Sequence, residues 1–161
     1  MNNGEINKSR ELPGNPKLHH IGFVVSSIEE CAASFAQSIG GTWDGNVFFD
    51  PLQKVRVSFF QGGNASDPLI ELVEPAEPGS PVTRFLERGG GLHHLCYEVE
   101  DLESHLQFCK SLGTLVIRQP VPAVAFGGRR IAWAVNRQKL LTEFLERCQN
   151  PFPVGHKEVN P

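Results

Sequence analysis

A chain of 161 residues and 17.8 kDa is the size of one domain and can remove about two thirds of its unfolded surface from water. With 40% apolar and 20% charged residues and a net charge of -3, it is not a disordered chain, and no apolar run approaches the roughly 20 residues that a bilayer crossing needs. The longest Lys/Arg cluster is Arg129-Arg130, which argues against a nucleic-acid or membrane partner and leaves a small molecule as the expected one.

The start, Met1-Asn2-Asn3-Gly4-Glu5, has neither the basic n-region nor the apolar h-region of a signal peptide, so a cytoplasmic protein is expected. Residues 1–16 read as a loose tail. Leu18 to Val25 is strand-like, and Ser27-Ile28-Glu29-Glu30 has the form of a capping box opening an amphipathic helix over 28–39. Gly40 stands where that helix would stop. Short β-type runs follow at 46–49, 55–60 and 69–74, with Gly62-Gly63 as the turn between the last two. Residues 76–91 form a Pro/Gly-rich linker with a short helical candidate over 82–88.

From Leu92 the pattern begins again. Leu92-His93-His94-Leu95-Cys96-Tyr97-Glu98-Val99 matches Leu18-His19-His20-Ile21-Gly22-Phe23-Val24-Val25 at an offset of 74, and Asp101 supplies the second cap at the same offset. A helix over 102–112 ends at Gly113, and strands follow at 115–118, 130–135 and 140–146, with 136–139 as the last turn. The expected fold is α+β: one domain, residues 17–147, of two tandem βαβββ modules (17–75 and 92–147) forming a curved sheet around a shared cavity. Residues 148–161 read as a second loose tail.

Alternate side chains of a strand point to opposite faces, so His19, Ile21, Phe23 and Val25 form the greasier row, expected to pack on the helix together with His93, Leu95, Tyr97 and Val99. His20 and His94 then face the cavity. Glu71 and Glu143 sit in the matching last strands of the two modules among apolar neighbours, where an ionised carboxylate is costly unless something pairs with it. His20 to Glu71 is 51 residues and His94 to Glu143 is 49, so the duplication brings one His and one Glu from each module together. Two imidazoles and two carboxylates suit one divalent ion, with Zn, Co, Ni, Fe, Mn and Mg all compatible. His19 and His93 are the competing ligands; His105 and His156 are expected in solvent. Cysteines 31, 96, 109 and 148 include no C-x-x-C pair and read as reduced thiols.

These paired modules with His, Glu, His and Glu resemble the vicinal oxygen chelate (glyoxalase/bleomycin resistance/dioxygenase) superfamily. Within it, Ile70 to Pro75, Ser80 to Arg88 and Gly89 to Val99 are most similar to the methylmalonyl-CoA epimerase family. The resemblance puts the metal ligands on His20, Glu71, His94 and Glu143, in agreement with the strand-face reading. It implies a homodimer and a metal-dependent epimerase or isomerase that removes a proton α to the carbonyl of methylmalonyl-CoA or a related acyl thioester; Glu71 and Glu143, related by the pseudo-twofold and so on opposite sides of the metal, are either the acid–base pair or ligands only. Glu98 is a weaker candidate for proton relay. Arg129-Arg130 after Gly127-Gly128 reads either as a phosphate contact for CoA or as a solvated loop, as do Lys54 and Arg56. The alternatives are a glyoxalase I-type isomerase or thiol transferase, or a metal-free small-molecule-binding protein of the same fold. Two departures from the epimerase pattern stand out: the hairpin Ala134 to Leu140 lacks a His-Pro and a Gly-rich turn, and Val57 stands near a position that is acidic in at least one epimerase.

Overall fold

The two copies of the repeated strand pair with each other. In the computed structural model, which describes residues 12–148, β1 (Lys17–Val24) and β6 (Gly91–Val99) run antiparallel at the middle of a nine-stranded sheet. Each is flanked by the last strand of its own module, running parallel to it: β5 (Leu69–Pro75) beside β1, and β9 (Leu141–Glu146) beside β6. Outside these lie β4 (Val55–Gln61) and β8 (Arg130–Val135). Two short strands, β2 (Thr42–Trp43) and β3 (Phe48–Asp50), share the edge on β4, and β7 (Leu115–Pro122) forms the opposite edge.

Both helices are held at their starts as their sequences predict. The Ser27 hydroxyl accepts from the Glu30 amide ahead of α1 (Ile28–Ser38), and the Asp101 carboxylate accepts from the Ser104 amide ahead of α3 (Leu102–Ser111). Gly40 and Gly113, with φ of 61° and 85°, follow their ends. Ile28 and Ala32 of α1 pack on Phe60 and Leu72, while Leu102 and Leu106 of α3 pack on Ala132, Ala134 and Phe144. A third, short helix, α2 (Thr83–Glu87), lies between the modules. No helix among the described residues is long and apolar enough to cross a membrane.

The duplication extends to an ionic clamp in each module. Arg56 bridges Glu29, in the first turn of α1, to Glu74 of β5, and Arg130 bridges Glu103, in the first turn of α3, to Glu146 of β9. Each clamp ties a helix N-terminus to the sheet, with a carboxylate where the helix dipole favours it. Arg56 and Arg130 are therefore engaged and do not offer themselves to a phosphate.

Three elements differ from the sequence reading. The first module's outer strand is split in two by Asp44-Gly45-Asn46, where the Asp44 carboxylate accepts from the Asn46 amide at 2.9 Å in a local turn. β7 runs on through Pro120 and Pro122 because it is an edge, where a missing N–H costs no ladder bond. A 3-10 turn over Val124–Phe126 follows it, too short for any periodicity to announce.

Candidate metal centre and cavity

His20 on β1, His94 on β6, Glu71 on β5 and Glu143 on β9 converge at the seam between the modules. All four are buried, at 0%, 2%, 5% and 3% exposure respectively. His20 Nε2 lies 3.4 Å from Glu71 Oε2, 3.1 Å from Glu143 Oε2 and 3.2 Å from His94 Nε2. His94 Nε2 lies 3.2 Å from Glu71 Oε2 and 3.8 Å from Glu143 Oε2. Ligands about 2.1 Å from one ion stand about 3.0–3.4 Å apart in an octahedral or tetrahedral shell, so the donor atoms of His20, Glu71 and His94 already have the spacing a divalent cation imposes, with Glu143 beside His20 and further from His94. Glu143 Oε2 is buried and has no hydrogen-bond partner, a state that a cation would relieve. By chemistry the four-residue set fits such an ion, and by spacing His20, Glu71 and His94 do.

The electrostatics of the cluster follow from two buried carboxylates. Burial alone would lower the His20 pKa, but Glu71, with help from Cys96 and Glu143, raises it well above its ordinary value. Burial pushes the Glu71 carboxyl up, and the charge of His20 with hydrogen bonds from His20 and His94 outweighs it, holding the group well below the usual carboxylate range.

His19 and His93 do not pack on the helices as alternation predicted, although Phe23, Val25 and Tyr97 do. The β1–β6 register skips at both histidines: Leu18 faces Tyr97 and His20 faces Cys96, while Gly22 faces His94 and Phe23 faces Leu92. A bulge in each copy thus sets two consecutive side chains beside one another. His19 Nδ1 meets His20 Nδ1 at 2.9 Å, and His93 Nδ1 meets His94 Nδ1 at 3.0 Å. Burial first, then His20 and Arg129, lower His19 to about 4; burial first, then His94, lower His93 to about 4. Each neutral outer ring orients the inner one and fixes which nitrogen faces the cluster.

The cluster opens into a cavity of about 310 Å³ lined by both modules, with Val57, Val73, Phe126 and Trp133 among its apolar walls. Trp133 meets the His94 ring edge-on at 4.7 Å, and Phe126 stacks on His20 at 5.7 Å. From the first module, the turn after β3 reaches across: Trp133 Nε1 donates to Gln53 Oε1 at 3.1 Å and Arg118 Nη2 to the Leu52 carbonyl at 2.9 Å.

A family model described as the Glyoxalase/Bleomycin resistance protein/Dioxygenase superfamily matches residues 19–133. The chain belongs to this superfamily. It is 32% identical over 117 residues to an ethylmalonyl-CoA/methylmalonyl-CoA epimerase of Cereibacter sphaeroides, covering 71% of this chain and 84% of that one. It is also 35% identical over 123 residues to an uncharacterised protein of Bacillus subtilis, covering 76% and 84%. Among solved structures, a hypothetical protein from Bacillus halodurans superposes with a TM-score of 0.73 at 30% identity, over 87% of this chain and 100% of that one. Methylmalonyl-CoA epimerase from Mycobacterium tuberculosis superposes with a TM-score of 0.71 at 21% identity over 82% and 88%, a likeness of fold.

Within this superfamily fold, several polar residues lie elsewhere than the sequence suggested. Glu98 is taken up by Arg147 at 3.3 Å and Arg129 at 3.7 Å, and so does not serve His94. His105, expected in solvent, is 3% exposed and packs on Phe144 at 4.6 Å, because α3 turns that face onto β9. His156 lies outside the described residues. Among the described residues, all four cysteines are free thiols. Cys96, which nothing in its spacing marked, is fully buried opposite both His20 and Glu143, and its thiol is pushed up by burial first and by Glu143 next. Its counterpart in the first module is Gly22, as the offset in the repeat could have indicated.

Proposed function

We propose that this protein is a metal-dependent epimerase or isomerase that removes a proton α to the carbonyl of an acyl thioester, with methylmalonyl-CoA the substrate to test first. The observation that carries the reading is the convergence of two histidines and two glutamates, one of each per module, with Glu71, His94 and Glu143 lining an apolar cavity. The named epimerase that is 32% identical to this chain over 117 residues supports the same reaction.

A divalent cation held by His20, Glu71, His94 and Glu143 would supply charge neutralisation for an enolate oxygen. The chain's own residues do the rest. Trp133, Phe126 and the valines exclude water, so that charges inside act at full strength. His19 and His93 hold the inner imidazoles in one orientation. Glu71 and Glu143, contributed by opposite modules, are the pair suited to take a proton from one face of the α-carbon and return one to the other, as inversion requires.

The test is metal analysis followed by incubation with methylmalonyl-CoA in deuterated water. Deuterium entering the α position of the thioester is the expected result. A metal-loaded protein that leaves that position unlabelled would reject the assignment and favour a glyoxalase-type isomerisation or thiol transfer.

A further inference from the structure

Four of the described arginines around the sheet are spent on carboxylates, Arg147 on Glu98 and Glu100 among them. Arg56 and Arg130 form the module clamps, and Arg129 faces Glu98. Arg118 differs. It lines the cavity together with Glu71, His94 and Glu143, and no Lys or other Arg lines it among the described residues. Among the described residues it forms no ion pair, and its hydrogen bond goes to the neutral Leu52 carbonyl at 2.9 Å. A guanidinium carries five N–H donors in a planar fork that suits carboxylate and phosphate oxygens, so most of its capacity is open to an anion entering the cavity. The one other acid that lines the cavity among the described residues, Asp50, is already committed to the Leu52 and Gln53 amides at 2.9 and 3.0 Å. The backbone agrees: the β7–β8 register breaks between Arg118 and Val121, the kind of irregularity that re-aims a side chain beside a site.

We propose that Arg118 is the specificity-determining residue of this cavity, taking an anionic oxygen of the substrate that the four-residue donor set does not hold. The anion is either a carboxylate of the acyl chain or a phosphate of its carrier. The inference rests on the acyl-thioester reading above for the identity of the ligand.

The test compares Arg118→Gln, which keeps an N–H for the Leu52 carbonyl and loses the charge, with Arg118→Lys, which keeps the charge and loses the fork. Binding of methylmalonyl-CoA and of CoA alone is followed by tryptophan fluorescence, since Trp133 lines the same cavity. α-Proton exchange is followed with methylmalonyl-CoA and with the N-acetylcysteamine thioester, which carries no phosphate. Arg118→Gln is expected to weaken binding about tenfold to a hundredfold, the loss falling on KM rather than kcat, with Arg118→Lys restoring part of it. A loss on both thioesters assigns the anion to the acyl carboxylate; a loss confined to CoA and its thioester assigns it to a phosphate. Wild-type binding and KM in Arg118→Gln for every ligand overturns the proposal while leaving exchange, and hence the epimerase reading, intact. Arg118-dependent binding without any exchange by the wild type does the reverse, and a wild type that neither binds nor exchanges removes both.

Discussion

Gly22 is bare because the His94 ring fills the place of its side chain: a Cβ there would stand 2.0 Å from His94 Cε1 and 2.7 Å from Nε2. Gly22 pairs with His94 on one side and with Glu71 on the other, so a single methyl group would enter between two members of the donor cluster. Gly22→Ala is expected to cost about 1–3 kcal/mol of stability as an overpacked core and to weaken metal binding by at least about tenfold as His94 is pushed aside. Metal titration with thermal melting checks both. Unaltered metal affinity in a folded variant would show that His94 does not hold the ion from this position.

The two histidines of each bulge should separate by magnitude. His20→Ala removes a donor and should reduce metal affinity by orders of magnitude, whereas His19→Ala removes the ring that meets His20 Nδ1 and should reduce it by about 10- to 100-fold. Competition against a chelator of known strength measures both. Equal metal binding by His19→Ala and the wild type would reduce that residue to packing.

Glu71→Gln and Glu143→Gln each keep an oxygen near its place and lose the group that carries a proton. Exchange at the α-carbon should fall by about 10²- to 10⁴-fold, the usual contribution of a positioned acid or base, while metal occupancy falls far less. Glutamine variants that retain metal and full exchange would limit both glutamates to holding the ion.

His105 gives a pH dependence outside the metal cluster. Burial lowers its pKa in the folded protein, with a partial offset from the Pro13 carbonyl, so below about pH 6.5 the unfolded chain takes up a proton that the folded chain refuses. Its contribution is complete above that pH and is lost as the pH falls towards the depressed folded value. The stability of the wild type relative to His105→Gln should therefore decline on acidification, as urea titrations at several pH values would record. A constant difference between the two proteins would show that His105 keeps its ordinary pKa.

The duplicated strand and the matched glutamates were legible because the repeat is written in chemistry-bearing residues at near-equal offsets, 74 for His20 and His94 and 72 for Glu71 and Glu143, and the sheet brings these four residues together. Simple alternation failed at His19 and His93 because a bulge is a property of pairing between two strands, and neither strand alone records it. Arg56 and Arg130 were ambiguous for a related reason: their partners lie 18 and 27 residues away for Arg56, and 16 and 27 for Arg130, joined only once each helix lies on its sheet. Phe126 and Trp133 gave no local signal, since an aromatic residue in a short turn or strand reads simply as core.

The seam between β1 and β6 carries a last consequence. Seven registered residue pairs join the two modules there by strand pairing alone, so a chain nicked between Gly89 and Gly90 would lose no rung of the sheet. Such a molecule is a dimer of halves whose covalent tether is topologically dispensable, the form that a fold assembled by gene doubling would have had before fusion. Either half alone carries only one imidazole and one carboxylate of the four, so fragment complementation and completion of the donor set are a single event.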